Sequence, residues 1–288
     1  MNAAPREVMI APKPAMEKAP TTMHWTARHK AIMSLVEDKG SCSVSELTTR
    51  LGVSDETVRR DIKALAAKGL VERVHGGLLK PAHPGEGPFM ARMRTNAEAK
   101  RAIAETAARE VNDGDSLMLD PGSTTAFVAR ALSARRNLFV VTNSGEIGRI
   151  LAGGKGNRVY VVGGEIRGDD GAVFGESAIE FLSRFRVHRA MLSAGGIDTV
   201  TGLMDYHLPE AEIARAMASC AGQTVVVADH TKFHTQAPVA ALELDRLDVV
   251  ITDSVPPPEA VAALERNAVR LVVARPRREP LALAVSRA

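Results

Sequence analysis

A short loop rich in hydrogen-bonding groups follows the apolar run SLML and reads Asp120-Pro-Gly-Ser-Thr-Thr. The hydroxyls of Ser123, Thr124 and Thr125 stand at the start of a helical pattern, and Gly122 lets the backbone approach a ligand closely. A helix N-terminus presents free N–H groups to an anion, with a favourable dipole. The loop therefore fits a phosphate, held either for chemistry or for sensing. Plain helix capping by the hydroxyls is the alternative that these residues leave open.

Similar loops follow other apolar runs. Ligands of open α/β sheets bind outside the carboxyl ends of the strands, so we expect these loops to share one rim. Arg167 and Lys232 can supply counter-charge to a phosphate. Asp205 and His207 suit recognition of a ligand hydroxyl, or a structural role. The predicted ligand contacts are Asp120, Gly122, Ser123, Thr124, Thr125, Thr142, Asn143, Gly163, Gly164, Arg167, Asp205, His207 and Lys232.

These residues alone leave open whether chemistry happens at the rim. A lone carboxylate such as Asp120 more often orders its own loop or a ligand hydroxyl, and proton transfer needs a base held within hydrogen-bond reach. The histidines are dispersed, and no cluster of Cys, His or Asp has the spacing of a metal site. We therefore predict no cofactor and no metal, and we expect no catalytic role for Asp120.

Seven short apolar runs predict the strands that position these loops. They are SLMLD, NLFVVTNS, NRVYVVGG, HRAMLSAGG, QTVVVADH, LDVVITD and VRLVVA. Helical patterns such as GEIGRILAGG, SAIEFLSRF, EAEIARAMASCA and PPEAVAALERNA follow most of them. Short β-branched runs that alternate with helices indicate an α/β fold, with a mainly parallel sheet and helices on both faces.

Three short helical patterns and a hairpin precede these runs and predict a winged helix-turn-helix. Val58, Ile62 and Leu65 share one face of the third helix, SDETVRRDIKAL, and the hairpin is LVERVHGGLLK. The first turn of a recognition helix enters the major groove of DNA, where hydroxyls and arginine forks meet base edges and phosphates. The predicted contacts with double-stranded DNA are Ser54, Thr57, Arg59, Arg60, Lys63, Arg73 and His75. A solvated helix face with internal ion pairs, beside a simple glycine turn, is the alternative.

Composition sets further bounds on partners and location. The 288 residues carry a net charge of +3, and aromatic residues make up 3%, which argues against binding of single strands by base stacking. The two cysteines form no disulfide framework, and no apolar run approaches the ~20 residues of a membrane helix. We therefore expect a cytoplasmic protein that does not enter a membrane.

We expect five segments along the chain. Residues 1–24 are a disordered tail, 25–80 the DNA-binding domain, 81–95 a linker rich in proline and glycine, 96–275 an effector domain and 276–288 a loose tail. Because Met9, Met16 and Met23 lie in or next to the first segment, a start codon placed too far upstream explains it equally well.

The run VSELTTRLGVSDETVRRDIKALAAKGLVERVHGG, with Arg28 before it, resembles the DeoR-type bacterial transcriptional regulators. The resemblance covers nearly everything outside the tails, and it implies a second domain related in fold to ribose-5-phosphate isomerase and other sugar-phosphate enzymes. Those isomerases hold an acidic pair at the strand end where this chain has Gly195 and Gly196. The resemblance therefore implies a phosphate grip that keeps Lys232, in a protein that is not an enzyme.

Within the family, the segments GGEIRGDDGAVFGE and GLMDYH are most similar to the branch that regulates glycerol 3-phosphate metabolism. This similarity implies a repressor that glycerol 3-phosphate or another sugar phosphate releases from its operator. A pseudo-palindromic operator requires a homo-oligomer, a dimer or a tetramer. An isomerase with an appended DNA-binding head, an activator and a nucleoid-type DNA binder remain as alternatives.

Overall fold

The computed structural model of the chain describes residues 27–66, 70–74, 76–79 and 87–274. The two expected tails, the predicted end of the third helix at 67–69, His75 and the first part of the expected linker lie outside the described residues. Within the described ranges, no helix combines the length and the hydropathy that crossing a membrane would require.

The N-terminal region combines three helices with a small antiparallel sheet. The helices are α1 (Ala27–Lys39), α2 (Val44–Leu51) and α3 (Asp55–Ala66), and the strands are β1 (Ser41–Ser43), β2 (Glu72–Val74) and β3 (Gly77–Leu79). The predicted hairpin of β2 and β3 is confirmed, and β1 pairs with the free side of β3 as a strand that was not predicted. Glycine is required where β3 crosses β1, because a Cβ on Gly77 would lie 2.3 Å from the carbonyl oxygen of Cys42.

The predicted buried face of α3 is confirmed. Val58, Ile62 and Leu65 are at most 2% exposed and pack with α1 and α2 in one core. Gly52 ends α2 with a φ of 64°, a left-handed conformation that glycine adopts without steric penalty. Three residues later α3 begins, so the helix-turn-helix is present as predicted.

A buried carboxylate holds α1 against α3. Asp61 is 6% exposed and accepts hydrogen bonds from the guanidinium of Arg28, one of them at 3.1 Å, while His29 Nε2 lies 3.1 Å from the same carboxylate. The hydrogen bonds from Arg28 hold the pKa of Asp61 below its ordinary value, although burial alone would raise it. Arg28 thus acts in the packing of this region.

The second region contains two sheets. Its strands are β4 (Ser116–Leu119), β5 (Phe139–Thr142), β6 (Arg158–Val161), β7 (Val187–Leu192), β8 (Gly196–Asp198), β9 (Gly202–Asp205), β10 (Ala221–Val227), β11 (Val239–Leu242), β12 (Val249–Thr252) and β13 (Arg270–Val273). Seven of them form a parallel sheet in the order β13-β12-β10-β7-β4-β5-β6. Each of the seven predicted runs contributes one strand, which confirms the α/β fold.

Helices cover both faces of the parallel sheet. They are α4 (Phe89–Arg92), α5 (Ala97–Arg109), α6 (Ser123–Leu132), α7 (Gly145–Ala152), α8 (Glu176–Ser183), α9 (Leu208–Ser219) and α10 (Pro258–Arg266). Leu117 and Leu119 of β4 point into the core with α4 to α7, and Met118 points into the opposite core with α8 to α10. This alternation is the period of a strand buried on both faces.

Two features differ from the predictions. The expected linker at 81–95 contains α4, and Phe89 and Met93 are buried at 7% and 8% exposure. These two apolar residues are four positions apart, so a single helical turn presents both to the core despite the neighbouring prolines. The antiparallel sheet β11-β9-β8 was not predicted either.

The substitution Asp61→Asn is expected to lower the free energy of unfolding by about 1–2 kcal/mol, because the hydrogen bonds from the partly exposed Arg28 lose their charged acceptor. The folded-state pKa of Asp61 is depressed, so its stabilisation exists above the unfolded-state pKa of about 3.9 and disappears as the pH falls through the folded-state value. Thermal unfolding of the full chain at pH values from roughly 3 to 7 should therefore show a flatter acid limb in this variant. The control Asp38→Asn, at an exposed position on α1, should match the unmodified chain. An unchanged acid limb in Asp61→Asn would contradict the assignment.

Candidate functional site

The carboxyl ends of β4 and β7 mark the point where the sheet reverses its winding. From β4 the chain proceeds outward through β5 to β6, then returns to place β7 on the other side of β4 and continues through β10, β12 and β13. Ligands of doubly wound sheets bind in the crevice at this switch point. Asp120 follows β4 directly and Ser193 follows β7, so both stand at the crevice.

Asp120 ties the two strand ends together. Its Oδ2 accepts hydrogen bonds from the Ser193 backbone N–H at 2.7 Å and from the Ser193 hydroxyl at 2.8 Å. Its Oδ1 accepts from the Thr125 hydroxyl at 2.8 Å and from the Gly122 N–H at 3.3 Å. Burial raises the pKa of the Asp120 carboxyl, and the hydrogen bonds oppose that rise. Asp120 therefore orders the loop that faces the crevice.

The first turn of α6 begins in this loop. Ser123, Thr124 and Thr125 are 6%, 4% and 0% exposed, so these side chains lie inside the protein. The residue before the helix is Gly122, and no side chain caps the turn. The alternative of plain capping by hydroxyls therefore does not describe this helix. Anion binding would rely on the backbone N–H groups of the first turn, which have no partner within the helix.

Two basic residues that were not predicted lie beside this turn. Lys100 of α5 is 4% exposed, and its Nζ donates hydrogen bonds to the Arg92 carbonyl oxygen at 2.7 Å and to the Ser123 hydroxyl at 3.1 Å. Arg92 ends α4 and lines the crevice. Lys100 shares the buried face of α5 with Ile103 and Ala107, and a lysine is rarely buried without polar partners. A lysine within an apolar helical stripe was the signal that could have revealed it.

Arg167, which was predicted to supply counter-charge, is paired within the protein. Its Nε donates to Asp170 at 3.0 Å, its Nη2 donates to both Asp170 and Glu210, the latter at 2.6 Å, and the ring centroid of Phe174 lies 4.3 Å from its guanidinium carbon. Burial alone would lower the pKa of Arg167, but the hydrogen bonds to the two carboxylates raise it. This ion triad joins the loop after β6 to the first turn of α9.

These groups enclose a small pocket at the switch point, which we call the switch pocket. Its walls are Arg92, Asp120, Pro121, Gly122, Asp170, Ser193, Asp205 and Glu210, and its volume is about 340 Å³ including the open mouth. Of the predicted contacts, Asp120, Gly122 and Asp205 line it. The α6 N-terminus and Arg92 favour an anion, and carboxylates accept hydrogen bonds from hydroxyl groups. The switch pocket thus pairs an anion-binding end with hydroxyl acceptors.

Two predicted contacts lie beneath the pocket rather than in it. Thr142 and Asn143 are fully buried. The Thr142 hydroxyl donates to the Leu119 carbonyl oxygen at 2.7 Å, and the Asn143 Nδ2 donates to the Val173 carbonyl oxygen at 2.9 Å. Both side chains support the strand ends, and a contact of either residue with a ligand stays a prediction. Among the described residues, Asn143 Oδ1 has no hydrogen-bond partner.

Four other predicted contacts are outside the described wall of the switch pocket. Gly163 and Gly164 follow the edge strand β6, which is two strands, or roughly 10 Å, from β4. His207 is exposed at the residue that precedes α9. Lys232 lies in a 3₁₀ turn, and its Nζ contacts the Gly195 carbonyl oxygen at 3.4 Å. The geometry brings only Lys232 of these four to the end of β7.

The basic residues predicted to bind DNA form one surface on α3 and the wing. Arg59, Arg60 and Lys63 are exposed on α3, and Arg59 and Arg73 border the same cleft between α3 and the hairpin. Arg60 is 76% exposed and lies 3.3 Å from Glu56, an exposed pair of small energetic weight. These side chains can therefore reach a phosphate backbone without breaking a buried contact.

The hydroxyl residues at the start of α3 have a second role. The Ser54 hydroxyl accepts a long hydrogen bond of 3.4 Å from the Thr57 backbone N–H and lies 3.0 Å from the Thr57 hydroxyl. Ser54 thus caps α3 at the helix end that a major groove would receive. His75 lies outside the described residues.

Two family models match the chain. The DeoR C terminal sensor domain matches residues 95–254, and the DeoR-like helix-turn-helix domain matches residues 28–82. The Glycerol-3-phosphate regulon repressor of Escherichia coli (strain K12) is 34% identical to the chain over 249 residues, which are 86% of this chain and 99% of that protein. The chain belongs to the DeoR family. It is a DeoR-type transcriptional repressor with a sensor domain, and not an enzyme.

The DeoR-family chain is also similar to a second repressor and to a solved structure. The Transcriptional repressor AccR of Agrobacterium fabrum (strain C58 / ATCC 33970) is 34% identical over 229 residues, 79% of this chain and 89% of that protein. Among solved structures, ribose 5-phosphate isomerase A of Methanocaldococcus jannaschii gives a TM-score of 0.35 at 19% identity, over 48% of this chain and 55% of that one. A likeness at this TM-score assigns no activity to the chain.

The backbone of the DeoR-family chain leaves no room for side chains at the two glycines that follow β7. A Cβ on Gly195 would lie 2.9 Å from the Met204 carbonyl oxygen, and one on Gly196 would lie 2.1 Å from the Thr235 carbonyl oxygen. Both obstacles are backbone atoms that cannot rotate away. A catalytic carboxylate at either position would require β9 or the turn after Lys232 to move.

The substitution Gly122→Ala is expected to destabilise the sensor domain by about 1–3 kcal/mol, the usual cost of overpacking, because the new Cβ would lie 2.0 Å from the Ser193 hydroxyl oxygen and 2.3 Å from the Ser193 Cβ. Urea unfolding of the full chain measures the loss. In the double variant Gly122→Ala, Ser193→Gly, the new methyl group has room, so the two substitutions should be strongly non-additive.

Gly163→Ala serves as the matched control, because a Cβ there meets nothing within 4 Å. Additive effects of Gly122→Ala and Ser193→Gly would show that the loop and the end of β7 are not in contact.

Proposed function

We propose that this DeoR-family protein represses a carbon-metabolism operon, and that a phosphorylated metabolite in the switch pocket releases it from operator DNA. The observation that supports the ligand class is the meeting, in one small pocket, of the α6 N-terminus with carboxylates. The phosphate would bind the N–H groups of the first turn, with Arg92 as counter-charge. Asp205 and Glu210 would accept hydrogen bonds from the hydroxyl groups of the metabolite.

Within that class, glycerol 3-phosphate is the leading candidate. It carries a phosphate for the anion-binding end of the switch pocket and hydroxyl groups for the carboxylates that line it. A relative that spans 86% of this chain is named for the glycerol-3-phosphate regulon. Another sugar phosphate is the second candidate, because AccR, a relative of equal sequence identity, is not named for the glycerol-3-phosphate regulon.

The proposed DNA-binding unit is a cytoplasmic homo-oligomer, a dimer or a tetramer. Two α3 helices would enter successive major grooves with Ser54 and Thr57 at the base edges, while Arg73 and His75 of each wing contact the flanking backbone. The metabolite would favour a conformation in which the two DNA-binding domains are wrongly spaced. It can do so only through different affinities for the two states, with a coupling of typically about 1–3 kcal/mol.

We expect the full chain to bind its own upstream DNA and to be released by glycerol 3-phosphate more effectively than by other phosphorylated three- to six-carbon metabolites. Fluorescence anisotropy at fixed salt measures both properties, and thermal shift with the same metabolites measures binding independently of DNA. Release by none of the metabolites would contradict the proposed sensor function. Turnover of a sugar phosphate in an aldose–ketose assay would contradict the proposed function as a whole.

The substitution Arg60→Ala should weaken operator binding and reduce the slope of log affinity against log salt by about 1, because one phosphate contact is lost. Metabolite binding, measured by thermal shift, should not change. Arg184→Ala is the matched control, since Arg184 forms a comparably exposed pair with Glu180 four residues away. Normal operator binding by Arg60→Ala at every salt concentration would remove α3 from the DNA interface.

A further inference from the structure

The short helix α4 is the first described element on the C-terminal side of the undescribed residues 80–86. It occupies residues 89–92, and a turn at residues 93–96 leads into α5. Phe89 and Met93 pack this segment into the core that lies between the sheet and helices α5 to α7. In sequence, only residues 80–88 separate α4 from β3, the last strand of the DNA-binding domain.

Three polar side chains attach this segment to the carboxyl rim of the sheet. Asp169, in the loop after β6, accepts a hydrogen bond from the Phe89 backbone N–H at 2.9 Å. Asn96 donates from Nδ2 to Asp229, which follows β10, at 3.1 Å. Lys100 forms the third attachment, to the carbonyl oxygen of Arg92. The segment is thus held by loops of the rim that carries the switch pocket.

Lys100 contacts both the sensor loop and α4 with a single ammonium group. It donates to the Ser123 hydroxyl at the start of α6 and to the carbonyl oxygen at the C-terminal end of α4. The last carbonyls of a helix lack partners within it and attract a cation, so this is a favourable place for the charge. Because the ammonium is buried, it cannot exchange either partner for water without a large penalty.

From these contacts we infer that Lys100 is a positioning residue that couples the switch pocket to α4, and through α4 to the DNA-binding domain. The inference rests on the proposed function, since it assigns a route to the regulation proposed there. A ligand at the α6 N-terminus displaces the loop that contains Ser123, and Lys100 moves the end of α4 with it. The exposed Asp169 holds the other end of α4, so the helix turns about that point.

The test is the factor by which saturating glycerol 3-phosphate weakens operator binding by the full chain, measured by anisotropy. Lys100→Met keeps the length of the side chain and removes its hydrogen-bond donors. The factor should fall by at least about fivefold, which is the low end of typical coupling, and so approach 1. Operator affinity without ligand should stay within about twofold of the unmodified chain, because Lys100 does not contact DNA. Lys100→Arg, which keeps charge and donors, should restore part of the factor. Arg101→Met, at the adjacent exposed position, is the matched control.

Asp169→Ala is the second variant, because an exposed residue can be replaced without threat to folding. It should also lower the factor, whereas Glu165→Ala in the same loop should not. Without ligand, hydrogen exchange in Lys100→Met should rise together at residues 89–96 and 123–125. A full coupling factor in Lys100→Met overturns this inference and leaves the proposed function standing; should that variant fail to fold, a full factor in Asp169→Ala overturns it instead. No response of the unmodified chain to glycerol 3-phosphate or to any of the other phosphorylated metabolites overturns both.

Discussion

The carboxylate of Asp120 is the contact on which the sensor domain depends. It accepts hydrogen bonds from Ser193 on one side of the switch point and from Gly122 and Thr125 on the other. These contacts set the width of the crevice between the two strand ends. Burial disfavours its charge, so the charged form is tolerable only while the donors are in place. The strand ends and the start of α6 are therefore tied together by one carboxylate, and Lys100 contacts the same loop through Ser123.

Much of the fold could be predicted because many elements carry their own evidence in local sequence. A parallel strand buried on both faces needs a continuous apolar run, and each of the seven runs supplied one. Gly52, with its left-handed backbone, marked the turn of the helix-turn-helix. The strands β1, β8, β9 and β11 were not predicted, and they form where neighbouring segments offer them hydrogen bonds.

The sequence places the candidate site at strand ends, but a strand-end motif does not reveal which partners its side chains have elsewhere in the chain. From the sequence alone Arg167 is an available cation, but in the structure Glu210, 43 residues later, forms an ion pair with it. From the sequence alone Lys100 was not singled out, but in the structure it donates a hydrogen bond to Ser123, 23 residues later. Thr142 and Asn143 stand at the end of a strand, as ligand contacts often do, but neighbouring segments of the protein cover both side chains completely.

The backbone that crowds Gly195 and Gly196 has a consequence for how information passes through this protein. A side chain cannot be added at either position unless the neighbouring backbone moves, so a point mutation alone cannot place a carboxylate there. Under the proposed function, a metabolite in the switch pocket would be bound and released unchanged. Its occupancy would follow the concentration in the cell without depleting it, and would reverse as soon as the concentration falls.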